Sequence, residues 1–160
     1  MKYYVLKPEV AGSYGPNTAF VDFKARPPLL EKFNYEFDGW LGDPILEVIC
    51  NYIVTDELKG EILKMEATGV QFSDVEVSRS HEYDEWQRHM PGTVLPRFVW
   101  LKVTGQMGKD DFGYTASNGA YLVVSERVLD LLLRVGTRHC DFAEIEAWKG
   151  DKLNSFRRQE

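Results

Sequence analysis

The chain is poor in the residues that build metal and redox sites. It has two cysteines, Cys50 and Cys140, and three histidines, His81, His89 and His139. Two cysteines make no disulfide framework, and neither sits in a C-x-x-C pair. Cys50 closes an apolar run over residues 45–50 and Cys140 precedes an expected strand, so both read as small buried hydrophobes. No two histidines stand three or four apart, the spacing that puts a zinc pair on one helix face. His139 and Cys140 are neighbours, and adjacent side chains on an extended segment point to opposite faces. The glycines form neither G-x-G-x-x-G nor a P-loop. No catalytic constellation, metal or cofactor is expected. Long apolar runs are missing too. Nothing approaches the ~20 residues of a membrane span, and residues 1–8 lack the apolar core of a signal peptide. Cationic side chains are outnumbered: 19 Lys and Arg stand against 25 Asp and Glu, a net charge of −6. That balance disfavours nucleic acid, whose binding needs clustered cations. It suits a basic protein partner, and equally a plain soluble surface. The cytoplasm is the expected compartment.

What is present describes an architecture. The 160 residues are 44% apolar, and a chain of this size buries roughly 70% of its unfolded surface. No composition shift divides it, so residues 1–148 are expected as one α+β domain and 149–160 as a polar tail, fraying unless Leu153 and Phe156 dock it. Strands are expected at 2–6 and 19–23, with a turn-rich loop at 11–17 between them. Pro27 and Pro28 interrupt any element there. Residues 33–40 alternate aromatic with polar, the period of a half-buried strand. Gly39-Trp40-Leu41-Gly42 then turns the chain, with the indole packed over a tight backbone path. Trp40 and Trp100 sit among apolar residues and are expected in the core.

Residues 53–77 and 123–147 match at an offset of seventy positions without a gap. Val54 meets Val124, Leu63 meets Leu133, Phe72 meets Phe142 and Glu76 meets Glu146; Thr55 is answered by Ser125 and Asp56 by Glu126. Each copy reads as an apolar strand ending on a hydroxyl residue able to cap a helix. An acid follows at the positive end of the helix dipole, then about three turns of helix and an exit strand. The match is either an internal repeat or two ordinary strand–helix–strand units in coincidental register. The helices are expected over 56–67, ending at Thr68-Gly69, and over 126–135, the second being more apolar and so more deeply buried. In the first exit strand, 70–77, the apolar positions change parity across Ser73-Asp74, which a bulge would reconcile. The resulting fold class is α+β: two related strand–helix–strand units on a mainly antiparallel sheet.

Two places merit a functional reading. Residues 81–87 are expected as a short surface helix carrying Glu82, Tyr83, Asp84, Glu85 and Trp86. An aromatic among carboxylates is how protein interfaces combine anchor and rim, and it would meet a partner's Lys or Arg with a cation–π contribution. The competing reading turns Trp86 into the core. Asp110-Asp111 lies in the glycine-rich loop 105–113, which reads as a hairpin turn. Its carboxylates are either a solvated turn, a cation or basic-partner contact, or the edge of a ligand pocket.

The pattern Phe37-x-Gly39-Trp40-Leu41-Gly42-Asp43, then Ile53-Val54-Thr55-x-x-Leu58, Gly69-x-x-Phe72-x-x-Val75 and Leu122-Val123-Val124-Ser125 resembles small immunity proteins of bacterial polymorphic toxin systems. The resemblance covers most of residues 33–147, and its motifs are structural. It implies a non-enzymatic cytoplasmic protein, monomeric or homodimeric, that binds a cognate toxin and blocks it stoichiometrically. On this reading Glu82, Tyr83, Asp84, Glu85, Trp86, Asp110 and Asp111 are the candidate partner contacts. The alternative is a small enzyme or ligand-binding domain using a pocket near Asp110 and Asp111.

Overall fold

A computed structural model describes residues 2–115 and 120–146 and the backbone of 157–158. The offset seen in the sequence is a duplication of structure. In the first unit, β6 (Ile45–Val48) and β7 (Asn51–Thr55) lead into α1 (Asp56–Lys64) and out along β8 (Val70–Ser73). In the second, β11 (Phe112–Tyr114) and β12 (Leu122–Ser125) lead into α3 (Glu126–Val135) and out along β13 (Asp141–Glu144). Each unit needs a strand between its entry and exit strands. The first takes it from later in the chain, β10 (Phe98–Val103), and the second from the N-terminal β1 (Tyr3–Lys7). The sheets therefore run β6-β7-β10-β8 and β11-β12-β1-β13, with β14 (Arg157–Arg158) pairing onto β13.

The registers agree position by position. Trp100 lies opposite Ile53 and Ser73. Val5 lies opposite Val123 and Ala143, the same two positions displaced by seventy. Backbone bonds outside the ladders repeat as well. Thr55 N–H donates to Pro44 C=O at 2.9 Å and Ser125 N–H to Asp111 C=O at 2.9 Å. Asp56 N–H donates to Arg97 C=O at 2.9 Å and Glu126 N–H to Lys2 C=O at 3.0 Å. A strand slipped by one position would turn its apolar set to the wrong face, so agreement at this many positions is a strong constraint shared by both units.

The two helices touch and share one core with the inner faces of both sheets, including Tyr52, Val54, Leu58, Ile62, Val99, Leu122, Val124, Val128 and Leu132. As expected, α3 is the more buried: Val128, Leu129, Leu131 and Leu132 against Leu58 and Ile62 in α1. α1 is shorter than the sequence indicates. It stops at Lys64, and Glu66 takes a left-handed φ of 54° where the second unit has Gly136 at 101°. Glycine carries no Cβ penalty there and glutamate does.

The outer face of the first sheet builds a second core. Leu46, Val48, Ile53, Phe98 and Trp100 pack against Phe33, Tyr35 and Phe37. The last two belong to a small sheet of β2 (Gly12–Tyr14), β5 (Asn34–Phe37) and β9 (Glu76–Arg79). Residues 11–17, expected as loop, thus supply an edge strand. The parity change at Ser73-Asp74 is not a bulge. It is where the chain leaves one sheet at β8 and joins another at β9, parallel to β5. A separate hairpin of β3 (Ala19–Asp22) and β4 (Leu29–Lys32) flanks this sheet, and α2 (His81–His89) covers it with Tyr83. Residues 45–55 form a tight hairpin whose turn residues, Ile49 and Cys50, hold φ values of 32° and 65°. Cys140 is buried and Cys50 half-buried, both as free thiols. The expected tail contacts of Leu153 and Phe156, and position 147 of the repeat, lie outside the described residues.

Candidate partner-binding face

α2 starts where the sequence predicts. Ser80 is extended, and its Oγ accepts from Tyr83 N–H at 3.1 Å while donating to Asp38 Oδ1 at 2.6 Å. Spacing of three then aims Tyr83 and Trp86 at the same side, ring centroids 5.4 Å apart. Glu82, Asp84 and Glu85 are left exposed on the other side. Arg88 engages Glu85 at 2.8 Å, an exposed i,i+3 pair of small energetic weight.

The predicted contacts divide. Glu82, Asp84 and Glu85 are at the surface. Trp86 is half-buried, its ring lying over the Gly39 backbone so closely that a Cβ at Gly39 would come within 3.3 Å of Trp86 Cγ. Tyr83 is 0% exposed and belongs to the second core, with the Arg79 guanidinium 5.3 Å from its ring. It anchors the helix and is not an accessible contact. Asp110 accepts from Gln106 N–H at 2.8 Å within its own loop. Asp111 is buried at the joint of the two units. Its Oδ1 accepts from Ser125 Oγ at 2.6 Å and Arg127 Nε at 2.9 Å; its Oδ2 accepts from Arg127 Nη2 at 2.6 Å and Thr68 N–H at 2.9 Å. These bonds hold its carboxyl well below the usual carboxylate range, the Arg127 bonds most strongly. Ser125 consequently does not cap α3 as Thr55 Oγ1 caps α1, at 3.1 Å from Leu58 N–H. Nor does loop 105–113 form a hairpin turn, since β10 and β11 pair with different strands. Gly105 and Gly69 instead allow three backbone segments to meet at Phe112.

Asp43 plays the reciprocal part. Its carboxylate accepts from the backbone N–H groups of Arg138 and His139, each at 2.8 Å. Each unit thus sends an aspartate from just before its edge strand to the loop after the other unit's helix.

The sequence gives little hint of what surrounds α2. Trp40, expected in the core, is half-buried, with Nε1 donating to Asp43 C=O at 2.9 Å and its ring edge-on to Phe98 at 5.9 Å. Three cavities follow one another from Trp40 to residues 94–98. One, about 350 Å³, is lined by residues including Glu9, Asp38, Gly39, Trp40, Leu41 and Trp86. The next, about 310 Å³, shares Trp40 and reaches Asp56, Val94 and Arg97. The third, about 360 Å³, shares Arg97 and reaches Val77 and Arg79. Exposed aliphatic side chains lie along them: Val10, Leu41, Val77 and, at 81% exposure, Val94.

Glu9 is the unusual member. It is only 7% exposed. Leu41 N–H donates to its Oε2 at 2.9 Å, while Oε1 is buried and meets no donor in good hydrogen-bond geometry, although the Asp43 N–H helps to favour the charged form. Burial pushes its carboxyl above the ordinary value, opposed mainly by the Leu41 N–H. None of the three cavities is lined by Asp110 or Asp111. Among the described residues no three His, Cys, Asp or Glu side chains gather as a metal site, and no helix is long and apolar enough to cross a membrane.

Compared with known proteins, the chain matches no family model and no curated sequence.

Proposed function

We propose that this protein is a non-enzymatic binding module, an immunity protein that neutralises a cognate bacterial toxin in the cytoplasm by occupying it. The observation that supports the reading most directly is the grouping of half-buried Trp40 and Trp86 with exposed Val10, Leu41 and Val94 along adjoining cavities, next to α2, whose outer side carries Glu82, Asp84 and Glu85. Large amphipathic aromatics in cavities, ringed by charge, are the usual composition of interface anchors. The net charge of −6 favours a partner with a basic surface. Of the two carboxylates of the alternative ligand pocket, Asp111 is committed to Arg127, Ser125 and Thr68.

The test is capture from a lysate of the source organism with the purified chain as bait, at low and high salt. The expected result is one protein retained near one-to-one and loosened by salt, with a toxic activity that the bait suppresses. A triple Glu82→Lys, Asp84→Lys, Glu85→Lys variant should keep its melting temperature and lose most of that retention. Retention of the toxin unchanged by this variant would remove α2 from the interface. Failure to suppress any captured activity would remove the immunity reading.

A further inference from the structure

We propose that the cavity between residues 9–12 and 38–41 is a recognition pocket for a single cationic side chain, Arg or Lys, presented by the protein partner. The inference deepens the reading above and takes the identity of the partner from it; the pocket itself can be tested without a toxin.

Three observations converge. The cavity is about 350 Å³, room for one long side chain. Two indoles line it, and an indole face is the best aromatic surface for a cation. Glu9, only 7% exposed, lines it as well, its carboxylate bonded to Leu41 N–H through Oε2 and drawn also toward the Asp43 N–H. A carboxylate this deeply buried is held at a cost, and the charge of a cation seated in the cavity would offset it. Among the described residues no lysine or arginine lines the cavity. Asp38, exposed at the rim with Oδ1 held by Ser80, adds a second carboxylate where a guanidinium would enter. Arg suits the site better than Lys, because its flat fork can stack on an indole while donating to a carboxylate.

The geometry also explains the glycine at position 39. Trp86 lies against its backbone, and a Cβ there would press on the ring at 3.3 Å, which it could relieve only by shifting a few tenths of an ångström.

The experiment titrates the ¹⁵N-labelled chain with N-acetyl-arginine methylamide, using the neutral isostere N-acetyl-citrulline methylamide at matched ionic strength as control. Indole N–H resonances of Trp40 and Trp86 are followed, with Trp100, buried in the second core, as internal reference. The expected result is saturable shifts at Trp40 and Trp86 alone, with a Kd on the order of 1–10 mM for so small a probe. The citrulline probe should produce none. Glu9→Gln should weaken binding about tenfold, as loss of the buried negative charge beside the cavity would. Should Glu9→Gln fail to fold, Val10→Lys adds a repelling charge at an exposed rim position and should weaken binding likewise. Equal responses to both probes, shifts that do not saturate, or undiminished binding in the folded variant would overturn the pocket. Toxin capture by folded Glu9→Gln at parental affinity would overturn it while leaving the immunity reading intact. Saturable arginine binding with no toxin captured would do the reverse.

Discussion

Replacing Asp111 with asparagine should cost more stability than any other single-atom-scale change at the joint of the two units. The side chain keeps its shape but loses its charge and one of its two acceptor oxygens. In the native protein those oxygens take two bonds from Arg127, one from Ser125 and one from Thr68 N–H. Removing one partner of a fully buried ion pair costs about 3–5 kcal/mol. Here Asp111 is 6% exposed but the Arg127 side chain is 47% exposed, so the orphaned guanidinium recovers part of its hydration. We therefore expect a loss of about 2–4 kcal/mol, a large share of a domain's usual ~5–15 kcal/mol. Urea unfolding followed by far-ultraviolet circular dichroism and by tryptophan fluorescence measures it, coincident transitions testing two-state behaviour. Combining Asp111→Asn with Arg127→Gln isolates the pair, and the double variant should be less destabilised than the sum of the singles by about 1–3 kcal/mol. The pH dependence follows from sign. A folded carboxyl held below its unfolded value of 3.8 contributes stability that is complete above that value. The contribution disappears as pH falls through the lower folded value. The gap between parent and Asp111→Asn should hence be constant from about pH 5 to 8 and narrow in acid. A variant within 0.5 kcal/mol of the parent, or strictly additive singles, would refute the pairing as a stabilising contact.

Three further outcomes follow from local geometry. Ile49→Asn and Cys50→Gly should each stabilise by up to about 1 kcal/mol in urea melts, because both native residues occupy positive φ in a tight hairpin suited to Asn-Gly. Destabilisation by both would mean that the Ile49 and Cys50 side chains contribute more than the turn strains. Glu66→Gly should raise the urea midpoint by an amount equivalent to roughly 0.5–1 kcal/mol, since the second unit already uses glycine at that place; a lowered midpoint would contradict it. Burial pushes the Glu47 carboxyl up to about 7, from an ordinary 4.5. Its folded form then binds a proton more tightly than its unfolded form, so stability should fall as pH rises from about 4.5 to 7 and level off above. Glu47→Gln should flatten that slope, and a slope unchanged in the variant would assign it to another group.

The duplication was half visible in the sequence. Strand, hydroxyl, acid, helix and exit strand fall in one continuous run in each unit, so a fixed offset aligns them. The strands that complete the two sheets escape that offset, because β10 follows its unit while β1 precedes its own by more than a hundred residues. The signal was nonetheless present: Arg97-Phe98-Val99-Trp100-Leu101-Lys102 and Lys2-Tyr3-Tyr4-Val5-Leu6-Lys7 match in apolar pattern and flanking charge. The parity change at Ser73-Asp74 suggests a bulge in the sequence because a bulge and a change of sheet produce the same pattern locally. Asp110 and Asp111 are indistinguishable as letters, and only the approach of Ser125 and Arg127 separates them. A hint lay in Arg127 itself, a cation in the first turn of a helix, where the dipole disfavours it unless an acid stands nearby. The face around Trp40 was the least legible. Its members come from residues 9–12, 38–44, 55–57, 74–79, 86, 94–98 and 135, which no periodicity connects.

The discontinuous second unit has a consequence during synthesis. The ribosome makes β1 before every other described element and β13 nearly last. The first sheet, from β6 to β10, can close while residues beyond 103 are still being translated. Throughout that interval β1 is a strand with two open edges, and its eventual neighbours do not yet exist. Open edges of this kind invite pairing with other chains. A message truncated before residue 120 would release a product with one finished sheet and one strand still waiting, a natural substrate for chaperones and for aggregation.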